Sequence, residues 1–297
     1  MAILLMVAMR KICEVNEIPD SNVDKPMTLY RITRFGSEGM VQQDDTLAVE
    51  EPLEIRLRWQ RDSGWEEEPL TITMRTPGND EELAAGLLFS EGIIRQRTQI
   101  LAMHRGDNNN AMVVQLASGH QLDMKRFQRH FLSTSSCGVC GKMAIESLGL
   151  LHQPDLDQHA LRIDSATLKT LPEKLQTRQS MFQKTGGVHA AGLFNAGGEL
   201  LLLREDVGRH NAVDKLIGAC LLEGKPSMRD CVLLVSGRAG FELVQKALTA
   251  DIAVMAAVGA PTSLAIDMAR SYGMTLAGFV KASGFNCYSG EQRLHQE

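Results

Sequence analysis

Two cysteines spaced as Cys137-Gly138-Val139-Cys140 are the strongest chemical signal in this chain. A Cys-x-x-Cys pair serves as half of a zinc site, as a dithiol redox couple, or as a carrier of sulfane sulfur. A structural zinc site needs four ligands and usually draws them from two closely spaced pairs. The other cysteines, Cys13, Cys220, Cys231 and Cys287, stand singly, and His152 and His159 are too loosely spaced to complete a set. A thioredoxin-like couple belongs at a strand exit in a small compact unit. Here the pair follows the polar run Ser133-Thr134-Ser135-Ser136, between two regions of different texture. Such a loop suits delivery of an atom between partners, because its glycines let another backbone come close. Lys142 and a short helix expected at 143–148 favour the thiolate through charge and the helix dipole. A thiolate accepts sulfane sulfur as a persulfide, and a second thiol three residues on holds or resolves it. Zinc, redox and sulfur chemistry, and unreactive loop cysteines, all stay open on these residues alone.

Composition narrows the setting. The chain has 297 residues, 44% apolar and 23% charged, enough for one large or two ordinary soluble domains. A net charge of −5 argues against nucleic-acid binding driven by overall charge. The apolar opening at 1–9 is too short to span a bilayer and runs into Arg10-Lys11, so it reads as an extension, with Met9 or Met27 nearer the folded part. No later stretch is long and apolar enough for a membrane helix, which makes the cytoplasm the expected compartment. Six cysteines in this length make no disulfide scaffold, and Cys220 and Cys231, in apolar stretches, read as small buried hydrophobes.

The elements that must position this chemistry fall into two groups. Leu53, Ile55, Leu57 and Trp59 alternate with polar residues, as do Leu70, Ile72 and Met74, and Asp62-Ser63-Gly64 between them predicts a hairpin. Pro77-Gly78-Asn79-Asp80 predicts a capped helix start with acids in its first turn. Met112, Val114 and Leu116 suggest another strand, so this half reads as a small α+β unit. The second half predicts a helix over 165–183, strands at 188–194 and 199–204, and a helix at 211–222. It continues as a strand at 231–235, a helix at 241–250, a strand at 252–258, a helix at 263–272 and a strand at 275–280. This alternation implies an α/β sheet of parallel strands covered on both faces.

Ligands of such sheets gather outside the carboxyl ends of the strands. The exits are Glu205-Asp206-Val207-Gly208-Arg209-His210-Asn211, Ser236-Gly237-Arg238-Ala239-Gly240, Gly259-Ala260-Pro261-Thr262-Ser263 and Lys281-Ala282-Ser283-Gly284. The first three lead into helix N-termini, where free N–H groups favour a phosphate. Arg209, Arg238 and Lys281 add charge-assisted donors, so a nucleotide-like anion is expected there. Gly187-Val188-His189-Ala190-Ala191 weakly echoes the His-x-Glu of zinc nucleobase deaminases, with alanine in place of the glutamate and no Pro-Cys-x-x-Cys to follow.

These segments together resemble the FdhD/NarQ family of formate dehydrogenase accessory sulfurtransferases. The likeness rests on 137–141, 187–191, 236–238 and 278–281, on Leu87-Leu88-Phe89-Ser90-Glu91-Gly92-Ile93-Ile94, and above all on the long block 205–218. It covers the chain from about Thr28 to the end. The resemblance implies an α/β protein: an extension (1–27), a smaller N-terminal α+β domain (28–132), a cysteine loop and connection (133–164), and a cytidine-deaminase-like three-layer sandwich (165–297). It implies a homodimer that takes sulfur from a cysteine desulfurase and passes it to the bis-molybdopterin guanine dinucleotide form of the molybdenum cofactor, before that cofactor enters formate dehydrogenase. Guanine nucleotides are the implied mimics of that acceptor. By position Cys137 would carry the persulfide, with Cys140 as its partner, and the cofactor-binding stretch falls on Phe279, Val280, Lys281, Ala282, Ser283 and Gly284. Many relatives carry arginine where this chain has Gly284, which leaves Arg209 and Arg238 to supply the missing contact. On that reading Arg238→Ala weakens guanine-nucleotide binding in a titration; an unchanged affinity removes Arg238 from the site.

Overall fold

The computed structural model describes residues 25–37, 39–61, 63–106, 109–118, 154, 156, 161–224 and 228–296. Cys13, Cys137, Cys140, the helix expected at 143–148, His152 and His159 lie outside the described residues. The first element is a ribbon of two antiparallel strands, β1 (Met27–Gly36) and β2 (Gly39–Ala48). Hydrophobic alternation does not predict it, because its apolar residues fall on both faces and stay in water. Phe35 and Met40 pair across its tip, 76% and 69% exposed.

The expected hairpin follows as β3 (Glu51–Arg61) and β4 (Gly64–Arg75). With β5 (Ile100–Arg105) and β6 (Ala111–Leu116) it forms a four-stranded sheet of order β4-β3-β6-β5, in which only β3 and β6 run parallel. Leu53, Ile55, Leu57 and Trp59 share one core with Met112, Val114 and Leu116, and helix α1 (Asp80–Ser90) adds Leu83, Ala84, Leu87 and Leu88 to it. The alternation expected of β4 breaks after Leu70: that residue is buried, but Ile72 is 60% exposed and Met74 is exposed too. A bulge is the reason. Ile55 faces Thr71 and Arg56 faces Pro69, so Leu70 is an extra residue and the strand changes phase behind it. The expected cap of α1 also differs. Asn79 is left-handed (φ 58°) and its side chain caps nothing. Its carbonyl instead accepts from the Leu83 N–H at 2.9 Å. Asp80 is buried and binds Arg75, with Nε donating to Oδ1 at 2.9 Å.

The second half contains β7 (Ile163–Asp164), α2 (Ser165–Gln176), α3 (Ser180–Thr185), β8 (His189–Phe194), β9 (Leu200–Asp206) and α4 (Arg209–Leu222). It continues with β10 (Val232–Val235), α5 (Phe241–Thr249), β11 (Val254–Ala257), α6 (Ser263–Ser271), β12 (Thr275–Lys281), β13 (Gly284–Ser289) and β14 (Leu294–His295). The single helix expected at 165–183 is two helices. After Gln176 the turn tightens, with Arg178 and Gln179 donating three residues back to Leu175 and Gln176. The Glu205 carboxylate then accepts from the N–H groups of Met181 and Phe182, which starts α3 afresh.

Six strands form one sheet in the order β13-β12-β11-β10-β8-β9. The all-parallel expectation is corrected: only β10, β11 and β12 run parallel to their neighbours in that series, while β8 is antiparallel to β9 and β10, and β13 to β12. Short turns at 195–199 and 282–283 allow only hairpins at those two places. Because β8 alone is reversed between β9 and β10, strands β9 to β12 leave the sheet on one common edge, where β8 begins. Helices cover both faces. Leu233, Val235, Met255 and Ala257 share a core with Leu216 of α4, Leu243 and Ala247 of α5, and Ala265 of α6. Their neighbours Val232, Leu234, Val254 and Ala256 face Leu168, Leu171 and Leu175 of α2. Cys220 is buried in the first of these cores and Cys231 packs against it. No helix among the described residues is long and apolar enough to cross a membrane.

The two halves meet where α1 crosses α4. The backbones touch there through Gly86 and Gly218. A Cβ on Gly218 would lie 1.8 Å from the Glu82 carbonyl oxygen, and one on Gly86 would lie 1.8 Å from that of Asp214. Neither helix can yield without moving its own sheet. Gly218→Ala should therefore cost at least about 2 kcal/mol, seen as a lowered urea midpoint; an unchanged midpoint contradicts this packing.

Candidate functional site

The common strand-exit edge gathers the charged loops that the sequence singles out. Its floor is built around Asp206, the last residue of β9, which is fully buried. Oδ1 accepts from the Gly208 N–H at 2.8 Å and from Asn211 Nδ2 at 3.0 Å; Oδ2 accepts from the Thr76 N–H at 3.1 Å. Lys215, one turn beyond Asn211 on α4, reaches the same carboxylate at 2.7 Å and donates to the Thr76 carbonyl at 2.8 Å. Asn211 further donates to the Met74 carbonyl at 2.7 Å. Asp214 on the same helix is buried against Lys246 (2.9 Å) and Ser90 (2.8 Å). Much of the block 205–218 thus joins β4, α1, α4 and α5, rather than facing a ligand. Glu205 is occupied at the start of α3. The N-terminus of α4 meets a carboxylate from its own chain, and Thr262 caps α6 by accepting from the Ala265 N–H.

Arg209 and Arg238 remain at this edge. Arg209 is half-buried at the start of α4, and Arg238 is exposed between β10 and α5. The stretch 279–284 lies on the same edge, at the turn from β12 to β13. Phe279 is 46% exposed and left-handed (φ 54°), pinned by its N–H to the Gly259 carbonyl at 3.1 Å. That conformation is unfavourable for an aromatic residue and turns its ring outward. Val280 points the other way into the core, so only its backbone faces the edge. Lys281, Ala282 and Ser283 are exposed. Gly284 has φ 151°, a backbone in which an arginine would be strained. The fold brings Arg209, Arg238 and 279–284 to one edge; Cys137 and Cys140 lie outside the described residues.

His189 opens β8 in the middle of this edge. It begins a strand rather than a helix, so its likeness to the deaminase His-x-Glu is one of sequence only. Gly237 leaves room for the ring, since a Cβ there would lie 3.3 Å from Nδ1. Burial, with help from the positive charges of Arg209 and His210, lowers the His189 pKa; Asp206 opposes this. Beside it, His210 Nε2 meets Glu242 at 2.9 Å, and that hydrogen bond holds the Glu242 carboxyl low. A cavity of about 520 Å³ adjoins His189, lined by Gln176, Gln179, Phe182, Ser236 and Val258 among others. Nothing in the sequence marks Gln179 or Phe182, which sit in what reads as an ordinary polar helix. The break between α2 and α3 is what aims them here. The native state holds fewer protons on His189 than the unfolded chain does near the ordinary imidazole value. Its contribution to stability therefore falls as pH drops through about 6.5. An NMR titration should place His189 below that value and find it raised by Arg209→Gln; an unmoved midpoint contradicts the charge coupling.

Comparison with known proteins fits these features. The model of the FdhD/NarQ family matches residues 48–295. A protein called sulfur carrier protein FdhD from Corynebacterium efficiens is 48% identical over 259 residues, covering 83% of this chain and 90% of that one. Its namesake from Streptomyces avermitilis is 44% identical over 273 residues, covering 89% and 94%. Among solved structures, one assigned as a formate dehydrogenase accessory protein from Desulfotalea psychrophila superposes with a TM-score of 0.69 at 23% identity, over 91% of this chain and 99% of that one, and so shares the fold. With a family model spanning both sheets and relatives this similar along nearly their whole length, the chain belongs to the FdhD/NarQ family.

Proposed function

We propose that this protein is a cytoplasmic sulfur carrier required for formate dehydrogenase activity. The observation that carries the reading is the one Cys-x-x-Cys of the sequence, Cys137 and Cys140, in a chain 48% identical to a protein called a sulfur carrier. Cys137 thiolate attacks the persulfide of a cysteine desulfurase; the donor's S–S bond breaks, a new one forms on Cys137, and the donor leaves as a thiolate. For delivery, Cys140 thiolate attacks the Cys137 sulfur. A Cys137–Cys140 disulfide forms and the outer sulfur departs as sulfide to the molybdenum of the bis-molybdopterin guanine dinucleotide cofactor. A cellular dithiol then reduces the disulfide by two exchange steps and leaves as its own disulfide. The acceptor is substrate here, held by the strand-exit edge with Arg209, Arg238 and the turn 279–284 toward its phosphates.

Several further parts of the reading have physical support. Residues 28–132 and 165–297 are two units joined by 133–164, and the mixed sheet covered on both faces suits a cytidine-deaminase-like ancestry for the second. The protein acts as a homodimer: a two-stranded ribbon is marginal alone, and β1 and β2 expose Leu29, Phe35, Met40 and Val41 to a partner.

The test is mass spectrometry after incubation with a desulfurase and cysteine. The protein should gain the mass of one sulfur atom, and Cys137→Ala should abolish both that gain and formate dehydrogenase activity while leaving guanine-nucleotide binding intact. If Cys137→Ala supports full activity, the protein is a noncatalytic cofactor chaperone with structural cysteines.

A further inference from the structure

His210 and Glu242 hold matching places at the strand-exit edge, each the second residue of its helix, α4 and α5. His210 Nε2 meets the Glu242 carboxylate at 2.9 Å, and the two side chains are 31% and 49% exposed. One turn deeper the same helices pair Asp214 with Lys246, whose Nζ reaches both carboxylate oxygens at 2.9 Å, and both residues are buried. That deeper pair already joins the helices, and a half-exposed pair adds little to it. An imidazolium in the first turn of a helix also opposes the macrodipole. Stability therefore gives no reason for a histidine here, but proton transfer does. With Nε2–H directed at a carboxylate, the ring keeps one tautomer and the imidazolium is supported. Nδ1 is then the ring atom left to exchange a proton, and solvent can restore it because the ring is not enclosed.

Sulfur insertion at the acceptor needs such a group. Near neutral pH the released sulfur is hydrosulfide, HS−. When it displaces an oxide ligand, the metal–oxygen bond breaks, a metal–sulfur bond forms, and the metal keeps its oxidation state. The oxide leaves as water only with two protons, of which HS− brings one. We propose that His210 gives the second proton from Nδ1 to the departing oxygen, with Glu242 as its positioning residue. The imidazolium becomes neutral imidazole, so atoms and charge balance. His189, the other histidine at this edge, is a poorer acid: burial and the positive charges of Arg209 and His210 disfavour its protonated form, against Asp206. Arg209, Lys246 and His189 are the charged and titratable neighbours of the pair, with Asp206 behind His189. This role rests on the reading of the edge as the acceptor face, and goes beyond it by assigning the proton that insertion consumes.

The test is a single-turnover reaction between the full-length protein, preloaded with labelled persulfide sulfur, and the oxygen-bearing guanine-dinucleotide form of the molybdenum cofactor. It is run between about pH 5 and pH 8. The parent's rate should fall as pH rises across the imidazole range. His210→Gln keeps a donor toward Glu242; it should flatten that fall and lose about a hundredfold of the rate at neutral pH, with guanosine diphosphate affinity and persulfide loading unchanged. Added imidazole should restore His210→Ala, which a purely structural role does not allow. Glu242→Gln keeps the hydrogen bond without the charge. It should move the fall in rate to lower pH, and it decides the matter if the His210 variants do not fold. The proposal is overturned, and the acceptor edge spared, if His210→Gln matches the parent in rate and pH profile, or if imidazole fails to rescue His210→Ala. An unmoved profile in Glu242→Gln overturns it too. A parent protein that passes no label to the cofactor overturns the reading of the edge and this role together.

Discussion

Asp206 lies beneath the strand exits with no exposure to water, and each of its oxygens serves a different part of the molecule. Oδ1 holds the first turn of α4 through Gly208 and Asn211, while Oδ2 holds the chain leaving β4 through Thr76. Lys215 neutralises the charge and grips the Thr76 carbonyl as well. A buried ion pair adds little net stability unless its remaining hydrogen-bonding capacity is met, and here it is. The consequence is geometric: the four-stranded sheet, the six-stranded sheet and the helix carrying Arg209 are tied at one point. Loss of Lys215 would leave the buried Asp206 charge without its counter-charge, which is far more damaging than losing a surface contact.

The close crossing of α1 and α4 depends on this tie. Gly86 and Gly218 let the helices touch, and the Asp214–Lys246–Ser90 cluster sits immediately beside that contact. The sheet behind them contributes through the reversal of β8. The single reversed strand β8 between β9 and β10 keeps four strands pointing the same way, so the exits with Arg209, Arg238 and Phe279 end on one edge. It also places the beginning of a strand, His189, among four strand ends. Charge is thereby separated from the uncharged cavity: cations sit on the exits, amides and imidazole in the recess.

The sequence makes the hydrophobic architecture readable where periodicity and burial agree. Val232 to Val235 and Val254 to Ala257 are continuous apolar runs because both faces of those strands are covered, and Leu53 to Trp59 alternate because one face is. It fails where a local event changes the phase. The bulge at Leu70 exposes Ile72, and the tightened turn after Gln176 splits one expected helix into two. Strand direction was beyond periodicity, since an alternation of helices and strands does not show which neighbours form hairpins. The block 205–218 illustrates the harder confusion: its charged residues look like ligands by type, yet Glu205, Asp206, Asn211, Asp214 and Lys215 are occupied by the fold. Only the spacing of Asn211 and Lys215 on one helix face, both near Asp206, points to an internal network. Gln179 carries no signal either, because it is the break between α2 and α3 that turns it toward the cavity.

Sulfur chemistry on Cys137 and an acceptor on the strand-exit edge are separate claims joined by one event, the movement of sulfur between them. A single-turnover experiment with the protein preloaded with radiolabelled sulfur observes that event directly. The account predicts that the label leaves the protein when the guanine-dinucleotide form of the molybdenum cofactor is added and reappears on that cofactor, without free sulfide as the main product. Label that stays on the protein, or that escapes to solution at the same rate with or without the cofactor, would contradict it.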